Sequence, residues 1–136
     1  MSAANKAKGS RTFQVGMSGD GEFIKYAAFM GWEIYKGFNG HEPVDYVVDT
    51  GTRLIKVEVK RLESTQISCR NYYYCVVTKF DKKKFDYMFV STPERNYFIP
   101  AEFCPKDTLS IKQTGTEYQR NITRPGKYEV YCVSSK

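Results

Sequence analysis

Two runs of alternating residues joined by one tight turn do more than any other feature to restrict what this chain can fold into. Val44 to Asp49 and Arg53 to Lys60 are rich in β-branched and aromatic residues, and Asp49-Thr50-Gly51-Thr52 between them has turn composition, so the unit is expected to be a β-hairpin. Side chains alternate faces along a strand, and a slip of one residue would turn the charges inward. One face then carries Tyr46, Val48, Ile55, Val57 and Val59, which suits a core. The opposite face presents Asp45, Lys56, Glu58 and Lys60, and an even-length turn puts Asp45 opposite or diagonal to Glu58.

Two carboxylates brought this close raise one another's pKa unless a positive charge lies between them. A hard divalent cation such as Mg²⁺ or Mn²⁺ supplies that charge, because it binds oxygen, keeps several waters and commonly takes one or two carboxylates plus a substrate phosphate. Lys60 follows Glu58 on the same face, where an ammonium can orient a water or stabilise charge growing on a phosphate. These parts suit phosphodiester hydrolysis. The alternation of Lys56, Glu58 and Lys60 also suits an ordinary solvated sheet face, and the strand alone leaves both readings open.

Ahead of the hairpin, a helix is expected from about Gly21 to Met30, opened by Asp20 as N-cap and stopped by Gly31. Its apolar stripe is Phe23, Tyr26, Ala27 and Met30, with Glu22 at the edge of the stripe beside Tyr26. An acidic residue is also favoured by the helix dipole in a first turn, so position alone gives Glu22 no chemical role. Trp32 to Tyr35 follows as a short strand.

The formal net charge of +6 favours a polyanionic partner. A membrane partner is excluded by the lack of any run of about eighteen apolar residues. The opening MSAANKAKGSR lacks the apolar stretch of a signal peptide, so an intracellular, cytoplasmic protein is expected. Cys69, Cys75, Cys104 and Cys132 form no CxxC pair and His41 is the only histidine, which argues against zinc and for reduced, buried thiols. Residues 1–12 form a flexible basic arm, and residues 13–136 a single domain.

Further strands are expected at Tyr72 to Lys79, Phe85 to Ser91 and Tyr97 to Ile99, extending the hairpin to a mixed sheet of about five strands in an α/β fold. Gln66, Ser68, Arg70 and Asn71, directly after the Lys60 strand, are candidate DNA contacts, as are Lys82, Lys83 and Lys84 in a basic turn. Both segments also suit plain solvated surface. Arg120, Arg124 and Lys127 form a second basic stretch.

The stretch Gly19-Asp20-Gly21-Glu22, the strand entry Pro43-Val44-Asp45 and the strand Val57-Glu58-Val59-Lys60 together resemble the PD-(D/E)XK nuclease pattern. Within that superfamily the sequence is most similar to the small nucleases associated with group I introns, with archaeal Holliday junction resolvases as relatives. The resemblance implies a restriction-endonuclease-like core with flanking helices. It assigns metal binding to Asp45 and Glu58, the catalytic lysine role to Lys60 and a supporting metal or water contact to Glu22. It implies a Mg²⁺- or Mn²⁺-dependent DNA endonuclease of the intron-homing kind acting on double-stranded DNA. A structure-selective nuclease acting on branched DNA is the alternative. A non-catalytic nucleic-acid-binding module is disfavoured, since carboxylates repel DNA unless a cation intervenes. One chain supplies one site and a duplex has two antiparallel strands, so a homodimer or homotetramer is expected.

Overall fold

A computed structural model describes residues 19–36, 45–62, 73–77, 81–112 and 128–135. Helix α1 covers residues 19–30. It is followed by β1 (Glu33–Lys36), β2 (Tyr46–Asp49), β3 (Leu54–Arg61) and β4 (Tyr73–Val77). Then come β5 (Tyr87–Ser91), β6 (Arg95–Pro100), β7 (Thr108–Lys112) and β8 (Cys132–Ser135). The basic arm of residues 1–12 lies outside the described residues, as do Gln66, Ser68, Arg70, Asn71, Arg120, Arg124 and Lys127.

Helix α1 ends where the sequence says it must. Gly31 has φ +74°, a conformation that costs side-chain-bearing residues about 1–2 kcal/mol. Its N–H donates to the Ala28 carbonyl and that of Trp32 to the Ala27 carbonyl, the paired closure of a Schellman motif. Two expectations at this helix are corrected. Asp20 is inside the first turn and not its cap, and Met30 is 45% exposed because the stripe that meets the sheet is narrower, centred on Phe23 and Ala27.

The main sheet has six strands in the order β1-β2-β3-β5-β6-β8. All neighbours are antiparallel except β3 and β5, which run parallel. The hairpin register is as the alternation requires: Tyr46 lies opposite Val57 and Val48 opposite Ile55. Its turn is closed by the Asp49 carboxylate accepting from the Gly51 N–H at 2.8 Å, with Gly51 at φ +93°. The start of β5 is fastened to β3 by Asp86, whose N–H donates to the Lys56 carbonyl and whose carboxylate accepts from the Lys56 N–H.

Two cores result, one on each face. Phe23 and Ala27 of α1 pack with Tyr46, Val48, Ile55, Val57 and Phe89, the rings of Phe23 and Phe89 meeting edge-on at 5.2 Å. On the other face Met88, Val90, Tyr97 and Ile99 pack with Leu62, Phe85, Cys104, Leu109, Ile111 and Tyr128. Strand β5 is thus covered on both sides, which explains its nearly uninterrupted apolar run.

The expected mixed sheet of about five strands is present with six, and two strands differ from the expectation. The Tyr72 to Lys79 run does form a strand, β4, but it pairs with β7 in a separate two-stranded sheet. The sixth strand of the main sheet, β8, lies in a sequence with no marked alternation and pairs with β6 across a register irregularity at Asn96 and Tyr97. Among the described residues α1 is the one α-helix, so the flanking helices expected from the resemblance reduce to one; two 3₁₀ turns cover Ala101–Phe103 and Glu129–Tyr131. Cys104 is buried and free, its thiol pushed up to about 11 by burial, while Cys132 is partly exposed. Among the described residues no helix is long and apolar enough to cross a membrane.

Phe23 joins the helix to the sheet through Tyr46 and Phe89, so Phe23→Ala should cost about 3–5 kcal/mol in urea denaturation. A loss below about 1 kcal/mol would mean that α1 is not seated on this core.

Candidate active site

Strand β3 carries Glu58 and Lys60 on one face because Val57 and Ile55 on the other must stay in the α1 core. Continuing the β2–β3 ladder one residue past Tyr46 and Val57 sets Asp45 beside Glu58. The Asp45 side chain is anchored there, with Oδ2 accepting from the Val59 N–H at 2.7 Å. Lys60 Nζ lies 3.5 Å from Glu58 Oε1. Burial pushes the Glu58 carboxyl above the usual range, Asp45 adds to that, and Lys60 opposes it. The sequence-predicted trio of Asp45, Glu58 and Lys60 is therefore brought together as an electrostatically coupled group.

Glu22 goes elsewhere. Its Oε2 accepts from Asn96 Nδ2 at 3.0 Å, and Asn96 donates its second hydrogen to Ser134 Oγ at 2.9 Å. These residues line a cleft of about 520 Å³ between α1 and the β6–β8 edge of the sheet. The helix acid on the Asp45 side is Asp20. Two residues apart on a helix means about 200° of rotation, so Asp20 and Glu22 flank the buried stripe on opposite sides.

The Asp20 carboxyl is raised above the usual range by burial; Lys36 opposes the shift, Asp45 adds to it, and a hydrogen bond from the Tyr46 hydroxyl opposes it. Lys36 Nζ is 3.7 Å from Asp20 Oδ2 and 5.7 Å from the centre of the Tyr46 ring. Tyr46 is correspondingly pushed up to about 12, first by burial and then by Asp20. Helical spacing contained the signal for Asp20, since Asp20, Phe23 and Ala27 follow the i, i+3, i+7 row. Treating Asp20 as a cap removed it from that row. Gly19, just before it, sits so close to β3 that an added Cβ would come within 3.1 Å of the Arg61 Cβ, which holds this helix end against the strand.

The basic turn is built differently. Asp81 organises it, accepting from the Lys83 N–H at its side chain and from the Lys84 N–H at its carbonyl, with Lys84 Nζ at 3.8 Å. Lys82 bends back to the Glu102 carbonyl. Lys83 and Lys84 are exposed, just ahead of the start of β5, on the Lys56 side and away from the Lys60 end of β3. The structure does not bring this turn into contact with Asp45, Glu58 or Lys60.

Among the described residues no group of three or more His, Cys, Asp or Glu side chains is gathered as a ready cage for a metal. What the site offers is two adjacent carboxylates whose charge conflict Lys60 relieves only in part, which is the donor set that Mg²⁺ takes when waters and a phosphate complete its shell. The residues fit such an ion. Without one, the raised pKa has a stability consequence whose sign is fixed. A carboxyl whose folded-state pKa exceeds its unfolded value binds protons more tightly in the native state, so stability falls as pH rises across the interval between the two. In EDTA, native stability should therefore decline across that interval above the ordinary carboxylate range, and Glu58→Gln should remove part of the decline. Identical pH profiles for the two proteins would show that Glu58 is not strained in the native state.

No protein-family model and no curated protein sequence matches the chain. The solved structures similar to it include two nucleases. One is a bacterial homing endonuclease, I-Ssp6803I, with TM-score 0.69 and 19% identity over 89% of this chain and 86% of that one. The other is Hjc, a Holliday junction resolvase from the archaeal hyperthermophile Archaeoglobus fulgidus, with TM-score 0.49 and 13% identity over 72% of this chain and 88% of that one. The chain has the restriction-endonuclease-like fold, a mixed α/β domain that places Glu58 and Lys60 on β3 and Asp45 just ahead of the neighbouring β2.

Proposed function

We propose that this chain is a Mg²⁺- or Mn²⁺-dependent DNA endonuclease that hydrolyses phosphodiester bonds, of the site-specific, intron-homing type. The observation that carries the proposal is the coupled trio: Asp45 pinned against the Val59 N–H, Glu58 destabilised as an anion by burial and by Asp45, and Lys60 3.5 Å away. A solvated sheet face has no reason to hold two carboxylates in conflict; a cation site does. The homing assignment draws on the motif resemblance and on the fold shared with I-Ssp6803I over most of both chains.

Asp45 and Glu58 are the residues that would hold the ion, which when bound supplies Lewis-acid polarisation of a phosphate oxygen and a more acidic water. Glu58 must be ionised for this, so its raised pKa makes ion binding favour higher pH. Lys60 orients the attacking water or meets charge developing on the scissile phosphate. Asp20 takes the supporting acid role on the Asp45 side, and Glu22 keeps the helix fixed to β6 through Asn96. Substrate phosphates are met by the basic surface, with Gln66, Ser68, Arg70, Asn71, Lys82, Lys83 and Lys84 as the proposed contacts. The protein acts as a homodimer or homotetramer, so that two sites address the two strands.

Asp45→Asn is the decisive variant, since the amide keeps an acceptor for the Val59 N–H. It should abolish Mg²⁺-dependent cleavage of duplex DNA with little loss of stability, whereas Asp45→Ala should also cost about 1–3 kcal/mol by orphaning that N–H. Lys60→Met should lower the cleavage rate at least about a hundredfold, and EDTA should stop it. Cleavage that survives in EDTA or in Asp45→Asn would rule out this site. DNA affinity should fall steeply with salt, with a flatter slope after charge reversal at Lys83 and Lys84 if the basic turn lies on the backbone. Sedimentation should show more than one copy per complex; a monomer that makes double-strand cuts at a first-order rate would overturn the oligomer.

A further inference from the structure

Two of the three acids of the site have a lysine of their own, and Asp45 is held instead by the Val59 N–H. Glu58 is paired with Lys60, which belongs to the motif, and Asp20 is paired with Lys36, which belongs to no motif. The β1–β2 ladder sets Lys36 directly opposite Tyr46. The Lys36 ammonium is then 3.7 Å from the Asp20 carboxylate and 5.7 Å from the centre of the Tyr46 ring, and the Tyr46 hydroxyl also hydrogen-bonds Asp20. Lys36 is nonetheless 63% exposed at the side chain, so the stem is free to swing while Asp20, at 31%, is not.

Resting on the nuclease reading above, we infer that Lys36 is a positioning residue that couples cation binding to substrate binding. In the cation-free protein it neutralises Asp20 and lowers the repulsion that Asp20 feels from Asp45. A divalent cation arriving near Asp45 neutralises the same carboxylates more effectively, so the Lys36–Asp20 pair loses its advantage. Lys36 is then released at the rim of the site, where a mobile ammonium meets a phosphate of the DNA. A single lysine cannot serve Asp20 and a phosphate fully at once, so the ion and the DNA each favour the other through it.

The inference demands opposite changes in two measurements. In Lys36→Met, Mn²⁺ titrated calorimetrically without DNA should bind about two- to fivefold more tightly, because a competing cation worth an exposed ion pair is gone. The same variant should lose a comparable factor in the gain of duplex affinity that Ca²⁺ confers, read by fluorescence anisotropy. Lys36→Arg should keep wild-type values in both, and Lys106→Met, which removes an exposed lysine with no part in the site, should leave both unchanged. A merely structural Lys36 would weaken both measurements together. Unchanged Mn²⁺ affinity in Lys36→Met, or weaker Mn²⁺ binding, overturns the inference while leaving the nuclease reading standing. Wild-type protein that binds no Mn²⁺, or binds it equally well as Asp45→Asn, overturns both.

Discussion

The register of β2 against β3 is the constraint on which the rest of the molecule depends. With Tyr46 opposite Val57 and Val48 opposite Ile55, four side chains enter the core beneath α1, and Glu58 and Lys60 are turned to the other face. A shift of one residue would bury the carboxylate and ammonium and expose the valines, at a cost no surface interaction could offset. The site is thus a by-product of hydrophobic burial, since the core holds the strands and the alternation presents the charges. The bond from the Val59 N–H to Asp45 then fixes the one acid that lies just beyond the ladder.

Legibility in the sequence followed the range of the signal. The hairpin, its turn and the closure of α1 at Gly31 were readable because each is decided within a few residues by alternation, turn chemistry and handedness. The trio of Asp45, Glu58 and Lys60 was readable for the same reason. What failed was decided at longer range. Tyr73–Val77 has every local property of a main-sheet strand, and only its partner, Thr108–Lys112, puts it in a second layer. Cys132–Ser135 is short and irregularly paired, so nothing local announces it as a sheet edge. Asp20 was legible in principle, but capping statistics and helical spacing gave competing answers, and the spacing describes the structure.

The charges around the site share one pattern. Burial raises both Glu58 and Asp20, Asp45 presses on both, and each has a lysine that partly relieves it. Such an arrangement is stable enough to fold and unstable enough to welcome a better counter-ion. It stores electrostatic strain at the place where a phosphate and a cation would have to meet.

The parallel contact between β3 and β5 and the position of β8 late in the sequence have a consequence for what each part of the structure depends on. Asp86 joins β5 to β3 across thirty residues of sequence, and Asn96 reaches Ser134 across thirty-eight. Closing such loops costs more chain entropy than closing the short turn of the β2–β3 hairpin. The pairing that sets Asp45 beside Glu58 is therefore a local contact of the chain, whereas the edge that ties the helix to the sheet through Asn96 and Ser134 depends on residues far along it. The charged strand pair is thus specified by neighbours in sequence and its enclosure by residues remote from it, so a change near the C-terminal edge can loosen the helix without touching the register that sets the carboxylates.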